Sequence, residues 1–318
     1  MCTCIDIKGI NHYFGRTLDL DFHYNEEAVI TPRNYNLNLA NGDVIKTKYA
    51  LIGTAMVING TPMYYEAVNE KGLAIAGLNF PYNCHLNDYQ DGSLNLAISD
   101  IIPYFLSKYE TISDLRMDLE ALNIINIEAN GYLPTPLHFL VSDSIECIVI
   151  EQTKNGLNVY ENNVGVMTNN PPFNLQIKNL NKYESLNNSY IEPDNMVYSC
   201  VGLGSSGLPG GVSSADRFVK SAFMVKFAKL TKSEYENVST FFHILDSVSM
   251  VDNCCISKTG KVDLSYYTSC INVSKGIYYY KTLNSSRIKE LCLNEDNMND
   301  DILTRFPLSY EFDIEKLN

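Results

Sequence analysis

The chain has 318 residues, 45% hydrophobic and 19% charged, with a formal net charge of −13. That balance belongs to an ordinary globular protein with enough apolar side chains for a sizeable core. Its acidity argues against nucleic acid as a partner, because phosphates call for clustered Lys and Arg.

Short β-rich runs fill the first eighty residues: TCIDIK, HYFGRTLDL, AVITPRNY, TKYALIGTAMVI, MYYEAV and GLAIAGLNF. Asn41-Gly42 and Asn59-Gly60 read as hairpin connections between them. Helical patterning is expected at 95–108 and 111–123. The second has Thr111 or Ser113 as N-cap and Leu115, Leu119 and Leu122 at helical spacing; Pro103 kinks or starts the first. Strands are expected at 137–142, 145–151, 157–160 and 164–167, then a helix over 173–186 and a loop rich in Asn, Pro and Gly. Helices over 214–230 and 234–250 precede a closing hairpin group near 266–272, 276–283 and 287–293. Strand clusters at both ends with helices between them imply two packed sheets covered by helices.

No run approaches the roughly 18 apolar residues of a membrane span. Asp6, Asp19 and Asp21 interrupt the opening thirty residues, which lack the basic and apolar regions of a secretory signal, so the expected address is the cytoplasm. The nine cysteines are odd in number and show no CxxC spacing, and Cys147 and Cys270 sit in apolar runs where a thiol packs as a small hydrophobe. Cys4 reads as a core residue. With the histidines scattered, no disulfide framework and no metal site are expected. Gly202-x-Gly204-x-x-Gly207 spells a dinucleotide string but leads into Pro209, so it reads as a loop.

Cys2 stands directly behind Met1. A small residue there allows the methionine to be removed, leaving a thiol and a free α-amine on one residue. Such an amine, with a reference pKa of about 7.7–8.0, is partly neutral near pH 7 and can take the thiol's proton. Nucleophile and base on one residue is a known catalytic arrangement. Behind Cys2 come FGRTLDLD with Arg16 and Asp19, VITPRNY, NEKGLAIAGLNFP, LHFLVSD, VGVMTNNPPF, GLPGGVSSADRF and YTSCINVSKGIYYY.

In order and spacing these segments resemble the choloylglycine hydrolase family, the bile salt hydrolases and penicillin V acylases among the N-terminal-nucleophile hydrolases. The resemblance runs from residue 2 to about residue 282. It implies a four-layered αββα sandwich and a single domain over 1–318 whose mature form starts at Cys2. It assigns Cys2 as nucleophile, Arg16 and Asp19 as catalytic partners, Asn79 and Asn169 (rather than Asn170) to the oxyanion site, and Arg217 close to the thiol. Two guanidinium groups there would stabilise negative charge on the sulfur. Where the family usually reads LPGD and then SRF, this chain has Gly211, with Asp216 beside Arg217. That carboxylate either pairs with the arginine or faces solvent.

Penicillin V acylases tend to carry tyrosine at the Asn79 position, so Asn79 points to bile salts. Leu18, Tyr64 and Leu133 are substrate-pocket candidates by position, or core residues. The resemblance further implies a cofactor-free enzyme releasing glycine or taurine from conjugated bile salts, assembled as a homotetramer. The alternatives are a penicillin V acylase or N-acyl-homoserine-lactone amidase on the same scaffold, and, in a different class, a binding protein without catalysis.

Overall fold

The computed structural model describes residues 1–192, 201–258 and 260–318; Cys200 and part of the Asn-, Pro- and Gly-rich loop lie outside them. The chain opens with β1 (Cys2–Lys8), β2 (His12–Leu20), β3 (Glu27–Thr31), β4 (Asn36–Asn38), β5 (Val44–Lys46), β6 (Leu51–Ile58), β7 (Thr61–Asn69) and β8 (Ala74–Asn79). Next come β9 (Leu94–Ala97), α1 (Ile101–Lys108), α2 (Ile112–Ala121), β10 (Leu122–Ile125), β11 (Leu137–Ser142), β12 (Cys147–Thr153), β13 (Gly156–Glu161) and β14 (Val166–Met167). The remainder holds α3 (Phe173–Leu180), α4 (Ser214–Phe227), α5 (Glu234–Asp246), β15 (Leu264–Asn272), β16 (Ile277–Thr282), β17 (Ser285–Cys292), α6 (Glu295–Met298) and β18 (Thr304–Pro307).

Two large sheets form, a six-stranded one in the order β14-β1-β2-β15-β16-β17 and an eight-stranded one in the order β13-β12-β11-β8-β7-β6-β3-β18. Their inner strands are buried on both faces, while the edge strands β13, β17 and β18 are largely exposed, and the alternation of side chains decides which core each residue joins. In β8, Ala74, Ala76 and Leu78 pack toward the first sheet, while Ile75 packs with Ile101, Phe105 and Leu115 from α1 and α2. In β12, Cys147 and Val149 face inward and Ile148 and Ile150 outward. Phe218, Phe241 and Leu245 of α4 and α5 complete the cluster on the six-stranded side. The result is the expected αββα sandwich.

Local signals explain most boundaries. Asn59 and Gly60 both take positive φ, 51° and 79°, in the two-residue turn joining β6 to β7, as a type I′ hairpin requires. Thr111 caps α2: its hydroxyl accepts from the Asp114 N–H at 3.2 Å while Asp114 Oδ2 accepts from the Thr111 N–H at 3.2 Å, a reciprocal box. Leu203–Ser205 forms one 3₁₀ turn, so the dinucleotide-like string is a loop. Every cysteine among the described residues is free, and Cys4 is fully buried.

The helix expected from residue 95 starts later. Leu94–Ala97 pairs in parallel with Leu122–Ile125, and a buried side-chain amide bond links the two strands, Asn123 Nδ2 donating to Asn95 Oδ1 at 2.7 Å. A short apolar run fits strand or helix equally well by periodicity, and the long-range pairing decides it. β18, unread in the sequence, closes the eight-stranded sheet beside β3. No helix among the described residues is long and apolar enough to cross a membrane.

Asp100, just before α1, has its carboxylate buried, accepting from the Ala40 N–H at 2.8 Å. Burial pushes its pKa up to about 6. A carboxyl whose folded pKa lies above its unfolded value binds more protons folded than unfolded, so its contribution to stability falls as pH rises from about 4 through 6. Asp100→Asn is therefore expected to remove about 1 kcal/mol of the stability difference between pH 5 and pH 7. Urea unfolding of both proteins at the two pH values checks this; identical pH dependence in the variant would refute it.

Candidate active site

Cys2 opens β1 and is 2% exposed. β1 pairs with β2 so that Cys2 lies opposite Leu18 and Cys4 opposite Arg16. Arg16 Nη2 donates to Cys2 Sγ at 2.6 Å. Three of its other N–H groups are spent on carbonyls, Nε on Thr17 and Nη1 on Tyr65, both at 3.2 Å, and Nη1 also on Gly77. The rigid guanidinium fork is thereby fixed in orientation. Glu66, fully buried, lies behind it with Oε2 at 3.9 Å from Nε. Its two oxygens accept from the hydroxyls of Tyr267 and Tyr278, each at 2.6 Å.

Arg217 approaches from α4. Its Nη1 donates to the Cys2 carbonyl at 2.6 Å and to Thr3 Oγ1, and its Nη2 donates to Asn169 Oδ1 at 2.8 Å. The same Asn169 oxygen accepts the Cys2 N–H at 2.8 Å. Asn169 Nδ2 donates to the Asn79 carbonyl at 2.7 Å, and its backbone N–H to Ser214 Oγ at 2.9 Å. An amide nitrogen carries two hydrogens, and the second has no partner among the described residues. Asn79 Oδ1 is buried and likewise unpartnered. Unsatisfied buried polar atoms are rare, and one beside a nucleophile marks a place where a ligand can bind.

Asp19 follows on β2. Its Oδ1 accepts from Ser265 Oγ at 2.5 Å and its Oδ2 from Thr17 Oγ1 at 3.1 Å. The Asp19 carbonyl accepts from the Met1 ammonium at 2.5 Å and lies 4.0 Å from Cys2 Sγ. The ammonium also reaches Asp263 Oδ2 at 3.2 Å. With Met1 in place, the Cys2 nitrogen is a peptide amide.

Two buried guanidiniums face two buried carboxyls here. Burial pushes the Asp19 carboxyl above its ordinary value, opposed by the N-terminal ammonium, Arg217, Ser265 and Thr17. Glu66 is raised by burial too, with Arg16 and the two tyrosines opposing. Burial lowers Arg217, against the pull of Asp19 and Cys2. For Arg16 the burial effect is outweighed by Cys2, Tyr267 and Glu66, and its guanidinium is raised. With both carboxyls ionised, the side chains around the sulfur sum to zero charge before the thiol ionises, so a thiolate would be the excess charge and Arg16 its immediate counterion.

The structure thus gathers Cys2, Arg16, Asp19, Asn79, Asn169 and Arg217, with Leu18 buried beside Cys2. It does not bring Tyr64 there. Tyr64 packs with α1 on the outer face of the eight-stranded sheet, its hydroxyl 2.7 Å from Thr31 Oγ1. Tyr65, next to it, packs instead on the core between the sheets, and its carbonyl accepts from Arg16. Leu133 is 76% exposed on the loop before β11. Asn170, unlike Asn169, turns away and donates to the Pro81 carbonyl. Asp216 does not pair with Arg217 but accepts from the capping Ser213 hydroxyl at 2.8 Å. A Cβ on residue 211 would come within 2.3 Å of Asp216 Oδ2, so Gly211 and Asp216 are coupled: the carboxylate occupies the space a side chain at 211 would need.

Sequence reading missed Glu66 and its partners Tyr267 and Tyr278, which lie 201 and 212 residues further along the chain and carry no local signature. A separate cavity of about 960 Å³ lies at the far end of β1 and is lined by none of the six gathered residues.

A two-sheet αββα sandwich that buries a cysteine at the start of its first strand, between two arginines and two asparagines, has the architecture of the N-terminal-nucleophile hydrolases. Residues 2–305 match the family described as linear amide C–N hydrolases, choloylglycine hydrolase family, and the chain belongs to that family. It is 39% identical over 317 residues to a bile salt hydrolase/transferase of Lactiplantibacillus plantarum, covering 98% of each chain. It is 37% identical over 322 residues to a conjugated bile acid hydrolase of Lactobacillus gasseri, covering 96% of this chain and 100% of that protein. Among solved structures, a conjugated bile acid hydrolase variant from Clostridium perfringens superposes with a TM-score of 0.91 at 32% identity, covering both chains fully. A penicillin V acylase from Agrobacterium tumefaciens shares the fold, with a TM-score of 0.77 at 18% identity over 96% of this chain and 90% of the other.

Proposed function

We propose that this amide hydrolase cleaves glycine- or taurine-conjugated bile salts, with Cys2, freed of Met1, as its nucleophile. The observation that carries the reading is the convergence on one residue: Arg16 on the Cys2 sulfur, Asn169 on its nitrogen and Arg217 on its carbonyl. The thiolate attacks the substrate carbonyl carbon, a C–S bond forms, and the carbonyl π electrons move to oxygen. The Cys2 α-amine, having taken the thiol proton, gives it to the leaving nitrogen as the C–N bond breaks. Water then cleaves the thioester and regenerates the thiol. Arg16 holds the sulfur's charge, Asp19 shapes the surroundings of the amine, and Asn79 and Asn169 stabilise the oxyanion. Arg217 fixes Cys2 and Asn169 relative to each other.

Bile salts are favoured by the relatives' activities and by Asn79, a short polar side chain where an acylase would place a ring. A sterol body presents far more apolar area than a phenoxymethyl group, at about 25 cal/mol per Å² buried. The processed enzyme is therefore expected to show a higher kcat/KM for glycocholate or taurocholate than for penicillin V, and Asn79→Tyr to narrow the difference. A parallel assay of the three substrates decides: a higher kcat/KM on penicillin V overturns the substrate assignment and leaves the nucleophile untouched. The same reading places a homotetramer in the cytoplasm, and light scattering of the purified enzyme tests the four-chain mass.

A further inference from the structure

Asn79 and Asn169 belong to different layers. Asn79 ends β8 in the eight-stranded sheet, while Asn169 lies two residues beyond β14, the edge of the six-stranded one. A buried pair on β11 and β12 bridges the two. The His138 ring, 2% exposed, has Nδ1 at 3.0 Å from Glu151 Oε1 and Nε2 at 2.8 Å from the Thr168 carbonyl, the residue before Asn169. The ring also stacks on Phe80, the residue after Asn79, with centroids 4.3 Å apart and planes 4° from parallel. Glu151 accepts the Phe173 N–H at 3.0 Å, at the start of α3. The pair therefore grips the chain on both sides of Asn169 and immediately beyond Asn79.

Donor and acceptor rules limit its states. A carbonyl only accepts, so Nε2 donates to Thr168. Nδ1 then faces a carboxyl group, and the pair shares one proton, as imidazolium with carboxylate or imidazole with carboxylic acid. Both contacts persist either way. Cys2, Arg16 and Arg217 make no hydrogen bond to either group, so the pair stands outside the proton path of the reaction.

We propose that His138 and Glu151 are a positioning pair that sets the separation of Asn79 and Asn169, and with it the geometry in which the oxyanion is held. This rests on the reading of those asparagines as the oxyanion site. His138→Phe keeps a ring against Phe80 and removes both hydrogen bonds. Glu151→Leu removes the acceptor for His138 and for Phe173. Glu151→Gln can still donate to the Nδ1 of a neutral imidazole and accept from Phe173.

In the processed enzyme, His138→Phe and Glu151→Leu are expected to lower kcat about 10–100-fold with KM within about twofold, the scale of a small misplacement of catalytic groups. Alkylation of Cys2 by iodoacetamide keeps its rate, because the nucleophile is untouched, and Glu151→Gln recovers most of kcat. A kcat within about twofold of the parent in His138→Phe, or a loss of alkylation in step with kcat, overturns the proposal. If circular dichroism shows His138→Phe unfolded, the Glu151 variants carry the test, and equal kcat in Glu151→Leu and Glu151→Gln overturns it. Asn169→Ala separates the two readings. Full activity there removes the oxyanion assignment itself, whereas a loss there with none in the pair variants removes this inference alone.

Discussion

Cys2→Ala is expected to abolish hydrolysis of every amide substrate, with kcat falling about 10⁴-fold or more, while the sandwich remains folded. The size follows from the nucleophile's place in a unit whose members do not act separately. The fold survives because Cys2 lies at the very start of β1, and the pairing of Thr3 through Lys8 with β2 does not depend on its sulfur. A stability loss of about 1–3 kcal/mol is expected nonetheless, since Arg16 Nη2 loses its sulfur partner in a buried site. Stopped assays on each substrate, with thermal unfolding alongside, check both parts. Residual turnover above about 1% of the parent rate would place the nucleophile elsewhere.

The same prediction extends to the residue in front. With Met1 present, the Cys2 nitrogen is an amide donating to Asn169 Oδ1, and Met1 spreads its ammonium over the Asp19 carbonyl and Asp263. An amide nitrogen cannot take a proton near neutral pH, so a preparation retaining Met1 is expected to be inactive. Intact mass measured together with activity checks this, and full activity in the unprocessed form would exclude the α-amine as the base. Acylating the α-amine of the processed enzyme, with the thiol protected, is expected to give the same silence.

Where local chemistry decides structure, the sequence was enough. The Thr111 box, the Asn59-Gly60 turn and the alternation through Ala74, Ala76 and Leu78 each follow from a few neighbouring residues. Residues 95–97 fit the expected helix as well as a strand because the run is too short for periodicity to choose, and their partners lie 28 residues away. Four residues ending in Pro307 gave no hint of an edge strand. At the site, FGRTLDLD, GLNFP and TNNPP carried Arg16, Asp19, Asn79 and Asn169 because each sits in a motif. Tyr64 and Tyr65 differ only in strand parity, which a β-bulge near Ala55 makes harder to count. Glu66 with its two tyrosines, and His138 with Glu151, are joined by contacts across sheets that no local pattern encodes.

Adjacent asparagines give the most discriminating comparison. Asn169→Ala is expected to cost about 10²–10³ in kcat, the range measured when one oxyanion donor is removed from a hydrolase. It removes the Nδ2 hydrogen left for the oxyanion, and it also strips the acceptor from both Arg217 Nη2 and the Cys2 nitrogen. Both groups are buried, so a further destabilisation of about 1–3 kcal/mol is expected. Asn170→Ala touches neither. Its side-chain nitrogen serves the Pro81 carbonyl and its Oδ1 has no partner, so kcat within about threefold of the parent is expected, the change carried by loop packing alone. Single-turnover rates for the two variants, measured on one conjugate, make the comparison independent of product release. A larger loss in Asn170→Ala than in Asn169→Ala would transfer the oxyanion role to Asn170 and undo the assignment made from the geometry.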